Sequence, residues 1–592
     1  MFASTPNRRH RRRAPRARRA LVCCSAFASA VWIATDAHGQ SQHTWTGGGG
    51  DNNWSTTANW TNAIRPDGND IIHFAGSTRL SNNNNLNTDG GSTFNSFRVF
   101  FDSGAGAFTL SGNLMKFFDF GGARAQIEND STNLQTVNLR VGAGNLAGGL
   151  DIKPEAGDLL LNSSNSIFLD SNSELRFTGT TGKKATIASA IINGGGSTGA
   201  VAITDNTVVI FQKANTYTGE TSVSAGRLQY DTGGSITSTI RLGPNNANAI
   251  DAAVDIIPAA GGMTVDDTIN PRGTATTNTL SLNSQNTSGS NAYSGHIGLD
   301  HAFLITQSAG GTLNVTQVRA TPTDTGSGVD IKGFTTTLQS AGNINVSGTI
   351  YNSTGNGNIV KTGGATVTYA SGATQTYSGT TTVSAGTLTI NGAHTGGGDY
   401  TISATGSIGG SGVVTLASSK SFTLSGNVSP GNSTGNLTLN GASNSSTTVF
   451  AGGGSYTWEI NADANHGGSQ GAATGWDLLT LDSVSVTATA GNKFAITVVG
   501  VNITNGSNWD PTSGEKHFKI ADRQGATGFS AGDLAKFSLI VSGFDADENI
   551  GGFYLNVDGG GDLEIVYVPE PSSVVIGLFG ASLLAARRRR RL

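Results

Sequence analysis

One stretch of this chain occurs twice. Residues 216–230 (TYTGETSVSAGRLQY) and 376–390 (TYSGTTTVSAGTLTI) are identical at nine of fifteen positions. In each copy Tyr and Gly form a turn, Thr-x-Val a short strand, Ala-Gly a second turn, and Leu with its i+2 neighbour a second strand. Alternate strand residues face opposite sides, so Leu388 and Ile390 are expected to point inward and Thr387 and Thr389 outward. A unit this small cannot enclose a core. It must stack on further units of the same kind, which is the logic of a solenoid. The expected fold is therefore all-β: a right-handed parallel β-helix with a C-terminal β-rich capping module, and short helices only in the terminal segments. A string of β-sandwiches is the competing arrangement.

Both copies resemble the autotransporter-associated β-strand repeat, whose core reads N-T-Y-x-G-x-T-x-V-x-x-G-x-L. The first begins with the Asn of that pattern, Asn215, whereas the second has Gln375. The copies sit near 207–230 and 367–390, and weaker rungs of the same texture follow at 406–414, 421–426 and 429–439. At roughly 20 to 25 residues per rung, a β-helix over residues 70–445 holds about 15 to 18 rungs.

Composition fits a buried β core. Gly is 84 of 592 residues and Pro only 12, below the share that marks a low-complexity chain, and only 13% of residues are charged. No long stretch has the 3.6 period of a helix. A solenoid exposes its end rungs as open strand edges, which need covering. At the N-terminal end Trp45, Trp54 and Trp60 fall within sixteen residues, so residues 40–69 are expected to form a cap. The trio reads either as an apolar plug for the first rung or as a stacking platform for sugar rings. Near residue 450 the texture changes to longer alternating strands around Trp458, Ile496 and Leu555, and residues 446–568 are expected to form a compact β module.

The two ends carry addresses. Eight arginines lie between Arg8 and Arg19, an apolar run follows from Leu21 to Ile33, and Ala37-His38-Gly39 precedes Gln40. That is the layout of an export signal over residues 1–39, cleaved between Gly39 and Gln40. Arg18-Arg19 leaves both general-secretory and twin-arginine export open. Cys23 and Cys24, the two cysteines, leave with it, so disulfides and thiolate sites have no part in the mature chain. At the other end Pro569-Glu570-Pro571 runs into an apolar stretch, Ser572 to Ala586, and then Arg587, Arg588, Arg589, Arg590 and Arg591. Fifteen helical residues reach about 22 Å, short of a bilayer core of about 30 Å, which suits a transient inner-membrane anchor. The arginines would hold the cytoplasmic side and leave Pro569-Glu570-Pro571 across the membrane.

Residues 569–592 resemble the PEP-CTERM sorting tail. The resemblance implies processing at Pro569, Glu570 and Pro571 by an exosortase-type enzyme, delivery to the cell surface or extracellular matrix, and association with extracellular polysaccharide.

Motifs for chemistry are sparse. Of 36 Lys and Arg, eight precede Gln40 and five follow Pro571; of 40 Asp and Glu, only Asp36 and Glu570 lie outside residues 40–568. That segment thus has 23 basic against 38 acidic residues, a balance that repels nucleic acid. No histidine has metal-ligand spacing, and no P-loop or nucleophile elbow occurs. Metal and catalytic residues are therefore expected to be none. Asp545-Ala546-Asp547-Glu548-Asn549 and the pair Asp558 and Asp562 offer oxygen ligands for calcium, or are simply solvated loops. Asp300-His301, close to His296, is the one acid–histidine cluster in the repeat region. The expected role is a non-enzymatic structural or adhesive surface protein. The alternatives are a β-helical polysaccharide lyase or hydrolase, whose carboxylates would converge from several rungs, and a carbohydrate-binding surface protein.

Overall fold

The computed structural model describes residues 40–570, apart from 89, 90, 92, 145–148, 171, 197, 322–324, 505 and 545–550. The described residues form 54 strands and five short 3-10 turns. Thirteen strands, from Gln42–Trp45 to Ile350–Tyr351, build one sheet. Seventeen build a second, from Ser81–Asn84 to Ser483–Val486. A third side is made by five strands between Thr93–Ser96 and Ile191–Asn193, and further along by eleven between Thr264–Val265 and Phe537–Ser542. An eight-stranded sheet begins at Thr374–Gln375, where the thirteen-stranded sheet has ended.

Successive strands of a sheet come from successive turns of the coil and pair in parallel. Ile359 lies beside Thr381, Thr381 beside Tyr400 and Tyr400 beside Phe422, so these turns take 22, 19 and 22 residues. Among the described strands the exceptions are the last: Leu563–Pro569 pairs antiparallel with both Lys516–Arg523 and Gly551–Val557. The molecule is thus a parallel β-solenoid ending in a mixed sheet. Parallel neighbours one turn apart exclude a string of sandwiches, whose sheets are antiparallel.

The duplicated segment shows how a rung is built. Thr221–Val223 and Gly226–Tyr230 are strands in the first copy, as are Thr381–Val383 and Gly386–Ile390 in the second. Leu388 and Ile390 are fully buried, while Thr387 and Thr389 lie on the other face. Polar positions common to both copies are also internal. Tyr217 OH lies 2.6 Å from Thr221 Oγ1, and Tyr377 OH 2.7 Å from Thr381 Oγ1, so each Tyr and Thr satisfy one another inside the coil. Asn215 Oδ1 accepts from Ile191 N at 2.8 Å, and its amide nitrogen donates to Lys213 O and Ser235 O. Gln375 takes the equivalent place in the second copy. Its Oε1 accepts from Ile350 N at 2.6 Å and its Nε2 donates to Gly348 O at 3.0 Å. Gly219 and Gly379 are required by the stacking itself. A Cβ there would lie 2.4 Å from Gly199 O and 2.1 Å from Gly357 O, the backbone one turn away.

At the N-terminal end Trp45, Trp54 and Trp60 are buried against Phe74. Trp60 meets Trp45 and Trp54 edge-on at 5.2 and 5.7 Å. Their indole N–H groups donate to Thr78 O, Asn82 Oδ1 and Trp54 O. Rings buried in this way form an apolar plug with no face left open for a sugar.

His394 is the most perturbed histidine of the core. It stacks on Tyr377 at 4.0 Å, donates from Nε2 to Tyr377 O at 2.8 Å and accepts at Nδ1 from Tyr400 OH at 2.5 Å. Burial pulls its pKa from 6.5 down to about 4.

Both features of the rung can be measured. Leu388→Ala should cost about 2 to 5 kcal/mol, whereas Thr387→Ala should be nearly silent, as read by hydrogen exchange across residues 366–430. His394 contributes stability that is complete above about pH 6.5 and lost as pH falls through about 4, on the order of 3 kcal/mol. Unfolding free energies between pH 7 and 4 should therefore fall less steeply for His394→Gln than for the wild type.

Candidate functional site: a charged outer face and the C-terminal exit

Inward positions of the coil are mostly apolar, so most charge lies on the alternate, outward positions of its strands; Lys361, buried with its ammonium on Thr362 O, Gly363 O and Ala385 O, is an exception. In the thirteen-stranded sheet these positions align in lateral columns. Arg98, Gln126, Asp151 and Arg176 form one column on four successive strands, and Phe100, Glu128 and Lys153 form the next. Asp151, only 5% exposed, accepts from Arg124 Nε at 2.6 Å and from Arg176 Nε and Nη2 at 3.0 and 2.6 Å. Arg124 also reaches Glu174 at 3.2 Å. Lys153 bridges Glu128 at 2.8 Å and Glu155 at 3.3 Å. Beside them, burial and the Glu128 carboxylate push Asp130 up to about 6. Further along the same face Glu220 pairs with Arg241 and lies 3.8 Å from Arg272, and Lys332 pairs with Asp300 at 2.7 Å.

Sequence reasoning misses this ladder, although a signal for it exists. Arg124 precedes Asp151 by 27 residues and Arg176 follows it by 25. Charges recurring at the length of one turn are what a cross-rung ion-pair ladder requires. The spacing gains meaning only once the turn length is known.

The acid–histidine cluster does not assemble as a catalytic pair. Asp300 faces solvent and binds Lys332, whereas His301 is buried with its ring nitrogens against Ala302 O and Ala275 O. His296 faces a groove on the charged face, its Nδ1 3.0 Å from Gly328 O. Of the calcium candidates, residues 545–549 lie outside the described residues. Asp558 Oδ1 accepts from Gly560 N and Asp562 N, and Asp562 binds Lys519 at 2.6 Å and Arg523 N at 2.8 Å. Those carboxylates tie down a turn.

At the C-terminal end the chain is held firmly until just before the Pro-Glu-Pro signature is complete. Strand Leu563–Pro569 is hydrogen-bonded on both edges. Tyr567 is buried, donates to Pro511 O at 3.0 Å and packs on Trp509 and Phe553, each at 5.0 Å. One residue later the chain emerges: Val568 and Glu570 are exposed, and Pro569 ends the strand. Pro571 and Arg587, Arg588, Arg589, Arg590 and Arg591 lie outside the described residues, as does Gly39; Gln40 is the first described residue and its side chain donates to Asn69 O at 2.6 Å. Among the described residues no helix is long and apolar enough to cross a membrane.

Residues 568–591 match the family model of the PEP-CTERM protein-sorting motif. The motif implies export, sorting to the cell surface and processing by an exosortase. Comparison with curated proteins gives no match.

The ladder should be measurable. Asp151→Ala leaves Arg176 without its carboxylate partner and Arg124 with Glu174 alone, and should cost about 1.5 to 3 kcal/mol in chemical denaturation. Asp300→Asn, at an exposed pair, should change stability by less than about 1 kcal/mol.

Proposed function

We propose that this chain is an exported surface scaffold, released from a transient inner-membrane anchor by an exosortase-type enzyme and retained in extracellular polysaccharide by adhesion. The observation that carries the proposal is the sorting motif at residues 568–591, which begins where the last strand ends. A processing enzyme needs an extended, accessible segment. Pro569 keeps the backbone out of a helix, and Glu570 is exposed beyond a strand that holds the folded body at a fixed distance of a few residues.

The folded body supports the adhesive half of the reading. A solenoid offers area in place of a deep pocket, and here the area carries ordered columns of polar and charged groups on successive rungs. Periodic polar columns suit a periodic polymer. The role is binding and scaffolding, not turnover. Mass spectrometry of the protein from its native host should find a mature C-terminus at or near Pro569-Glu570-Pro571, lacking Ser572 to Leu592, in the fraction that sediments with extracellular polysaccharide. Intact Arg587 to Arg591 on surface-exposed protein, or its absence from that fraction, would contradict the proposal.

A further inference from the structure

The charged face has a gap in one column. Four successive strands, Ile240–Leu242, Ile269–Pro271, Ile297–Gly298 and Val329–Asp330, place Arg241, Asn270, Gly298 and Asp330 in line. The glycine has no side chain there, and the His296 ring covers it, so that Gly298 itself is buried. A Cβ on Gly298 would stand 2.9 Å from His296 Nε2 and 3.3 Å from Asn270 Oδ1, so the glycine is what lets these two polar atoms come together over the backbone. They lie in a groove of about 440 Å³, within the range of small-ligand sites, that Arg241, Arg272, Lys332, Asp300 and Asp330 also line.

The groups around it are set up to recognise something. His296 Nδ1 donates to Gly328 O, which leaves Nε2 as an acceptor in the groove, over Gly298. Arg272 is half-buried, and its described contacts are long: Gly243 O at 3.5 Å, Ser222 Oγ at 3.3 Å and Glu220 at 3.8 Å. Glu220 is closer to Arg241, so the Arg272 guanidinium keeps donor capacity facing the groove. Of the two carboxylates in the lining, Asp300 is paired with Lys332, and Asp330 accepts from Ser353 N, Ser353 Oγ and Lys332 N, so the acceptor capacity of both is directed to these partners and Arg272 is the cation left for an anion.

We infer that the groove over Gly298 binds an acidic sugar residue of a polysaccharide, its carboxylate on Arg272, a ring hydroxyl on His296 Nε2 and another on Asn270 Oδ1. The inference rests on the polysaccharide association proposed above and assigns it a place and a sugar class. A planar, forked guanidinium matches a carboxylate, and a floor of one imidazole and one amide oxygen matches hydroxyl donors. The missing side chain at Gly298 lets His296 and Asn270 close together over the sheet and form that floor.

Isothermal titration of the processed protein, purified from its host, with oligogalacturonate tests this, with a neutral galactan oligomer and acetate as comparison probes. Saturable binding of oligogalacturonate, at least tenfold weaker for the galactan and for acetate, is expected. Arg272→Gln and Gly298→Val, each with unchanged circular dichroism and unfolding temperature, should lower affinity tenfold or more, whereas Lys184→Ala, which removes an exposed charge from the seventeen-stranded sheet, should not. Equal oligogalacturonate binding by wild type and both variants would overturn the site, and preference for the galactan would overturn the sugar class; both leave the matrix reading standing. If the protein binds neither these probes nor polysaccharide isolated from the host, the inference and the matrix reading fall together.

Discussion

A backbone turn in this molecule has no partner within itself. Its N–H and C=O groups point along the stack, and only the next turn satisfies them, so every strand depends on the one before and the one after. From this follow the parallel pairing of successive turns, the exclusion of side chains at Gly219 and Gly379 where adjacent turns touch, and the need for distinct structures at the two ends. Three indoles close one end with all their N–H groups bonded. At the other, parallel pairing gives way to antiparallel strands around an aromatic cluster.

Inside the coil the side chains repeat the logic of the backbone. Tyr377 bonds to Thr381 of its own turn and lies within 3.3 Å of the Tyr400 hydroxyl of the next. Asn215 and Gln375 bind main-chain groups that the corners of the coil leave unpaired. These polar groups are buried and satisfied, which fixes the register of one turn on another more tightly than apolar contacts alone.

The parts legible in the sequence are those whose partners are near in the chain or whose pattern is local. Leu388 and Ile390 announce their burial by alternation, and the tryptophans announce a cap by crowding within sixteen residues, though not that their faces are closed to a ligand. The sorting tail is linear and needs no fold to be recognised. The charged face is illegible for the opposite reason: Asp151 looks like any exposed aspartate until Arg124 and Arg176 arrive from the turns on either side. Gln375 shows a second limit. Against the repeat pattern it is a departure, yet its longer amide reaches equivalent main-chain groups, an equivalence of geometry that letters do not display. His301 shows a third: it follows Asp300 in the chain, yet at the bend they share Asp300 is exposed and His301 buried.

The strand that precedes the sorting motif has a mechanical meaning. Until the sorting tail is processed, any pull on the folded body reaches that tail through this strand. Tension entering at Glu570 meets a strand bonded along both edges, with Tyr567 seated among Trp509, Phe553 and Pro511 a few residues from the point of load. Extracting that strand breaks two ladders and empties an aromatic socket at once. The fold thus places a doubly secured segment where a tether would tug.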